Sequence, residues 1–129
     1  AIGESSPEEI DALNILNASI LAMHRAIEAL QLVPEFLLID GNRFKPYLGI
    51  AHACLVEGDS HYRSIAAASV LAKTHRDAIM MRLHRQHPEF AWEQNKGYPT
   101  MEHREALALH GPTSWHRRSF RPVAEACGS

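Results

Sequence analysis

Two carboxylates stand where an α/β chain can place its chemistry. An apolar run, Phe36-Leu37-Leu38-Ile39, ends in Asp40, and Gly41-Asn42 then turns the chain away. A second strand-like run, Cys54-Leu55-Val56-Glu57, leads into Gly58-Asp59 just ahead of a long helix. The carboxyl ends of strands are where open α/β sheets carry their ligands. Two acids at successive strand ends can share a divalent cation, and hard carboxylate oxygens suit Mg2+ or Mn2+ rather than zinc. Each residue alone has a second reading, Asp40-Gly41 as turn chemistry and Gly58-Asp59 as a loop before a helix N-terminus. Two carboxylates are also fewer than the three or four acids that surround paired ions about 4 Å apart in two-metal phosphoryl transfer. Asp77 is the obvious third candidate, but it follows Lys73 by one helical turn, and an i,i+4 ion pair explains it equally well.

Beyond the acids, Lys96-Gly97-Tyr98 is suggestive. Glycine lets a backbone approach closely, and Tyr98 can stack on a base or sugar, although a Gly-Tyr-Pro loop taken alone is a turn. His116-Arg117-Arg118 reads either as a solvated basic patch or as a phosphate clamp. The histidines His84, His87, His103, His110 and His116 invite a zinc site, yet no pair sits beside a cysteine or carboxylate in a ligand pattern. Structural or surface roles fit them better.

The elements that must position these residues follow from periodicity. Ser6-Pro7-Glu8-Glu9 fits a capping box, and Ile10, Leu13, Leu16, Ile20, Met23, Ile27 and Leu30 recur at helical spacing. One amphipathic helix is expected, bent near Asn14 to Asn17 and ending before Val33-Pro34. Phe36 to Ile39 is the first strand, its bulky run expected to be buried on both faces. His52 to Val56 is the second. The two are expected to pair in parallel, although the crossover of about a dozen residues that this needs is barely supplied by the intervening loop. A long helix from about Ser64 to Gln86 would bury Ile65, Ala68, Leu71, Ala72, Ala78, Ile79 and Leu83. Glu89 to Pro99 reads as a loop, and Met101 to Leu109 as a short helix with Thr100 as its N-cap.

The 129 residues, 46% hydrophobic, have the length of one domain. No apolar stretch approaches the roughly 20 residues of a membrane helix, and the acidic start lacks the form of a signal peptide. The chain therefore reads as soluble and intracellular. Cys54 and Cys127 have neither metal-ligand spacing nor the density of a disulfide scaffold. The net charge of -2 argues against a generic nucleic-acid coat, but it hides an asymmetry. Residues 1–40 carry seven acids and one base, whereas residues 41–129 carry twelve bases, eight acids and eight of the nine histidines. A modest phosphate-binding face would lie there. Because the sequence opens on a helix signal with no Met and no lead-in, a cut through a larger protein is expected.

Taken in order, the motifs resemble ribonuclease HII. Glu9-Ile10-Asp11 with Leu13-Asn14-Ile15-Leu16, and Leu38-Ile39-Asp40-Gly41-Asn42-Arg43, are similar to that family's first helix and third catalytic acid. Gly58-Asp59-Ser60, Ile65-Ala66-Ala67-Ala68-Ser69, Leu71-Ala72-Lys73 and Arg76-Asp77 resemble its fourth acid and the following helix. Lys96-Gly97-Tyr98-Pro99-Thr100 and His116-Arg117-Arg118-Ser119-Phe120 complete the pattern. The resemblance implies an α/β, ribonuclease H-like fold, a mixed sheet flanked by helices. It implies an endonuclease that hydrolyses the RNA strand of RNA/DNA hybrids with Mn2+ or Mg2+. Such an enzyme also nicks DNA 5′ of embedded ribonucleotides, leaving a 3′-hydroxyl and a 5′-phosphate. Asp40 and Asp59 would be the last two of four metal-binding acids, and Asp77 would have no direct metal role. Tyr98 would stack at the RNA-to-DNA junction, with Arg43, Lys96, Arg117 and Arg118 as backbone contacts. A monomer in the cytoplasm is expected. The family's adjacent Asp-Glu pair and Gly-Arg-Gly loop are not in this chain, so residues 1–129 read as part of the catalytic domain without its first strands, inactive alone. The alternative is a non-catalytic nucleic-acid-binding module of the same fold.

Overall fold

Residues 1–95, 98, 100–119, 121, 123 and 124 are described by a computed structural model. In chain order the elements are helices α1 (Pro7–Leu13) and α2 (Ile15–Glu28), strands β1 (Phe36–Asp40) and β2 (Ala51–Leu55), and helices α3 (Gly58–His61), α4 (Arg63–Gln86), α5 (Trp92–Asn95) and α6 (Met101–His110). The chain is thus α/β, with a two-stranded parallel sheet. Its contacts divide it into two units, Ala1–Ser5 with Leu16–Lys73, and Ser6–Ile15 with Thr74 onward. Among the described residues no helix is long and apolar enough to cross a membrane.

The start of α1 follows its sequence signal: Ser6 Oγ accepts the Glu9 N–H at 3.2 Å, and Glu9 Oε1 accepts the Ser6 N–H at 3.0 Å. The single bent helix expected from the apolar spacing is instead two helices. Asn14, at φ 72°, donates its N–H to Ile10 O and closes α1. With ψ at 168° the residue lies outside both helical wells, so neither helix can run through it.

In the first unit, β1 and β2 pair in register from Phe36 with Ala51 to Asp40 with Leu55, and the Gly41 N–H continues the ladder to Leu55 O at 2.9 Å. The short connection, residues 41–50, is pinned by His24 of α2. Its Nε2 meets Lys45 O at 2.8 Å, and its ring packs edge-on against Phe44 and Tyr47. Burial along β1 alternates: Leu37 and Ile39 are buried, while Phe36 is 53% and Leu38 41% exposed. Burial on both faces is therefore not found among the described residues, where the sheet has only this parallel pair. Residues 1–5 lie along α2, with Ser5 Oγ donating to Ala18 O at 2.6 Å and Arg25 Nη1 to Glu4 O at 2.8 Å. Helix α4 begins and ends as expected, but its buried side is narrower. Ile65 and Leu83 are buried and Ile79 half-buried, whereas Ala68, Leu71, Ala72 and Ala78 are exposed. The helix gives its first half to one unit and its second half to the other, so one continuous stripe is not needed.

The second unit has its core at Leu83, Phe90, Trp92, Ala106, Leu107 and Val123, with Ile79 and Met80 against it. Phe90 stacks on Trp92, their ring centroids 5.1 Å apart. The expected loop over Glu89 to Pro99 contains a 3-10 turn (Pro88–Phe90) and α5, because both aromatics are drawn into that core. Helix α6 is capped as its sequence indicates, Thr100 Oγ1 accepting the His103 N–H at 3.2 Å.

Candidate functional site

Asp40 is the last residue of β1, and β2 ends beside it at Leu55. From there Glu57, in the left-handed region at φ 53°, swings the chain into α3, whose first turn carries Asp59. The junction closes through one hydrogen bond, the Gly58 N–H donating to Asp40 Oδ1 at 2.9 Å. Gly58 itself is buried: a Cβ would lie 2.7 Å from Ile65 Cδ1, the movable end of that side chain, and in ordinary contact with Leu55 Cβ at 3.4 Å and Asp40 Oδ1 at 3.5 Å. Glycine thus lets the β2–α3 turn approach the Asp40 carboxylate without moving Ile65. Both Asp40 and Asp59 are exposed. Each offers hard oxygen donors to solvent, and that of Asp40 is oriented by a backbone amide. That donor set fits a hydrated Mg2+ or Mn2+, which keeps waters and takes one or two carboxylates plus substrate phosphates. Among the described residues no group of three or more His, Cys, Asp or Glu side chains forms a closed metal cage, and a tetrahedral zinc site is not built.

Of the other sequence candidates, Arg43 is exposed on the connection that leaves Asp40, within the same unit. Asp77, Tyr98, Arg117 and Arg118 belong to the second unit, and Lys96 lies outside the described residues. Asp77 is half-buried on α4. Tyr98 is 67% exposed, its N–H donating to Asn95 O at 2.9 Å and its carbonyl accepting the Thr100 N–H at 2.8 Å. The Arg76 guanidinium carbon lies 6.0 Å from the centre of the Tyr98 ring, at the outer range of a cation–π contact.

Two arrangements were not legible in the sequence. His103 and His116 are both buried, their rings stacked with centroids 5.3 Å apart and joined Nε2 to Nε2 at 3.2 Å, against Phe90 and Trp92. Burial lowers the pKa of both, and for His116 burial, then the neighbouring His103, lower it to about 4. The second is Asp11, which accepts hydrogen bonds from Arg118 and Ser119 at the far end of the chain. The Ser119 hydroxyl and N–H, and then the Arg118 N–H, hold its carboxyl below the usual range. The Asp11 contact could have been suspected only from both partners standing in motifs, since spacing says nothing about residues so far apart.

A family model for Ribonuclease HII matches residues 2–123 of the chain. Among curated proteins the chain is similar to a ribonuclease HII of Bacteroides fragilis (strain YCH46), 60% identical over 125 residues that make up 97% of this chain and 62% of that protein. The ribonuclease HII of Christiangramia forsetii is 56% identical over 114 residues, 88% of this chain and 58% of its own. That of Porphyromonas gingivalis is 58% identical over 125 residues, with 97% and 62% covered. The chain thus spans about three-fifths of the length of these relatives.

Proposed function

This chain belongs to the ribonuclease HII family, and on that premise we propose that its protein is an endonuclease that hydrolyses the RNA strand of RNA/DNA hybrids. It also nicks duplex DNA 5′ of an embedded ribonucleotide, leaving a 3′-hydroxyl and a 5′-phosphate. Residues 1–129 are part of one ribonuclease H-like catalytic domain, a mixed sheet flanked by helices, in a monomeric cytoplasmic enzyme. The observation that carries this reading is the Gly58 N–H bond to Asp40 Oδ1, which ties the carboxyl end of β1 to the turn bearing Asp59.

Asp40 and Asp59 are the chain's metal-holding acids, the last two of four in the family pattern. When bound, Mn2+ or Mg2+ supplies an activated water and stabilises the leaving 3′-oxygen. Gly58 fixes the Asp40 carboxylate beforehand, so no side-chain reorganisation is needed as charge builds. Tyr98, exposed and held through its backbone by Asn95 and Thr100, stacks on the sugar at the RNA-to-DNA junction. The ribose 2′-hydroxyl is the mark that separates this substrate from DNA. Arg43, Lys96, Arg117 and Arg118 meet backbone phosphates, which position the duplex without reading its sequence.

The test is the protein expressed from its whole gene, given a duplex with a single ribonucleotide and either ion. A single nick 5′ of the ribonucleotide is expected, with none in EDTA and none on an all-DNA duplex. Binding without cleavage in both ions would favour the non-catalytic module instead. The 129-residue chain alone, which contains no adjacent Asp-Glu pair, is expected to be inactive; Mn2+-dependent nicking by it would overturn that expectation.

A further inference from the structure

The basic segment near the C-terminus is fixed on both sides of its two arginines. On one side the His116 ring is buried against Phe90 and His103, with Thr113 N–H donating to its Nδ1 at 2.9 Å. On the other, Asp11 in the last turn of α1 takes three hydrogen bonds. Arg118 N–H donates to Oδ2 at 2.9 Å, Ser119 N–H to Oδ1 at 2.8 Å, and Ser119 Oγ–H to Oδ1 at 2.6 Å. Both partners belong to the same compact unit. A half-buried carboxylate here lowers the positive potential that a phosphate would feel from Arg117 and Arg118, so its charge works against phosphate binding. Its contribution must therefore be geometric. By taking two successive backbone N–H groups it fixes where the arginine side chains leave the main chain, and it leaves phosphate recognition to the guanidinium groups.

We propose that Asp11 is a positioning residue for a phosphate-binding site formed by Arg117 and Arg118, acting on the affinity for duplex nucleic acid and not on the cleavage step. This rests on the nuclease reading above. Ordering the segment in the free protein removes part of the cost of immobilising it on the substrate, so losing Asp11 weakens binding without touching the reacting atoms.

The experiment uses the whole-gene protein and measures kcat and KM for nicking of a single-ribonucleotide duplex across a salt series, with thermal melts alongside. Asp11→Ala is expected to raise KM about five- to tenfold, with kcat nearly unchanged, and to make the log–log salt slope shallower by about one. Asp11→Asn, which keeps one acceptor oxygen but turns an amide toward one donor, should fall between wild type and Asp11→Ala. In an Arg117→Ala/Arg118→Ala background, Asp11→Ala should change neither KM nor slope further. A purely structural role would lower the melting temperature and leave the slope alone; that result, or additive effects in the arginine-free background, overturns the proposal. If Asp11→Ala does not fold, an unchanged slope in Asp11→Asn overturns it equally. A wild-type protein that does not nick at all overturns the nuclease reading itself, an outcome separate from these.

Discussion

Lowering the pH from 7 to 5 is expected to remove about 2 kcal/mol of folding stability through His116. The reason is first the burial of the ring, which disfavours its charged form, while its hydrogen bonds fix where the protons of the neutral ring lie. Thr113 N–H can only donate, so Nδ1 of His116 accepts and the neutral ring carries its proton on Nε2. That proton is given to Nε2 of His103, 3.2 Å away, which leaves the His103 proton on Nδ1, a buried atom without a hydrogen-bond partner among the described residues. A proton added at His103 Nε2 would face the Nε2–H of His116, donor against donor, and one added at His116 Nδ1 would displace the Thr113 N–H and have the Thr113 hydroxyl, at 3.0 Å, to accept it. Burial, and next the adjacent His103, hold the His116 pKa at about 4 against an ordinary 6.5. The unfolded chain takes up a proton below pH 6.5, whereas the folded chain resists until about pH 4. Stability therefore falls as pH drops through that window and is unaffected above it. Integration gives about 2 kcal/mol lost at pH 5 and about 3 kcal/mol at pH 4, with His103 acting in the same direction. The assay is urea unfolding of wild type and His116→Asn at pH 7, 6 and 5. Asn can accept the Thr113 N–H but cannot be protonated, so the stability gap between the two should narrow by about 2 kcal/mol at pH 5. A gap that stays constant across the series would refute the reasoning.

Phe90→Ala, at a side chain only 1% exposed and stacked on Trp92, should cost about 3–5 kcal/mol in urea unfolding; an unchanged midpoint would show that this core does not hold the fold. Gly58→Val should raise the Mn2+ concentration needed for half-maximal nicking about tenfold or more, because a Cβ here already touches Ile65, Leu55 and Asp40 Oδ1, and the two further methyl groups would crowd the buried turn that orients Asp40. A wild-type metal dependence would contradict the role given to that turn. Tyr98→Ala should raise KM for a ribonucleotide-bearing duplex about tenfold, as expected for loss of a stacking contact, while Tyr98→Phe should stay near wild type. Equal loss in both would assign the effect to the hydroxyl instead of the ring.

What the sequence made legible was local. The capping box at Ser6, the Thr100 cap and the parallel pair that ends at Asp40 all depend on neighbours or on a single hydrophobic run, and they are found where the spacing put them. The break at Asn14 was masked because the apolar residues keep helical spacing across it. The two-sided burial expected for β1 was a property of the residues Phe36 and Leu38, whereas exposure depends on what lies against them. Helix α4 shows the same limit, since periodicity cannot tell which parts of one helix serve two separate cores. The strand-end acids were visible as types and positions, but the Gly58 amide that joins them is a tertiary fact. The His103–His116 pair and the Asp11 clamp lie further beyond reach, since each arises from segments that meet only after folding.

Mn2+ affinity of the whole-gene protein, measured by electron paramagnetic resonance for wild type, Asp40→Asn and Asp59→Asn, tests most directly whether the strand-end carboxylates hold the ion. Each substitution keeps the side-chain shape and removes a charge, so each should weaken binding by at least about tenfold and abolish nicking in parallel. Wild-type affinity in either variant would contradict the assignment of that residue, and in both would move the metal site away from the end of β1 altogether.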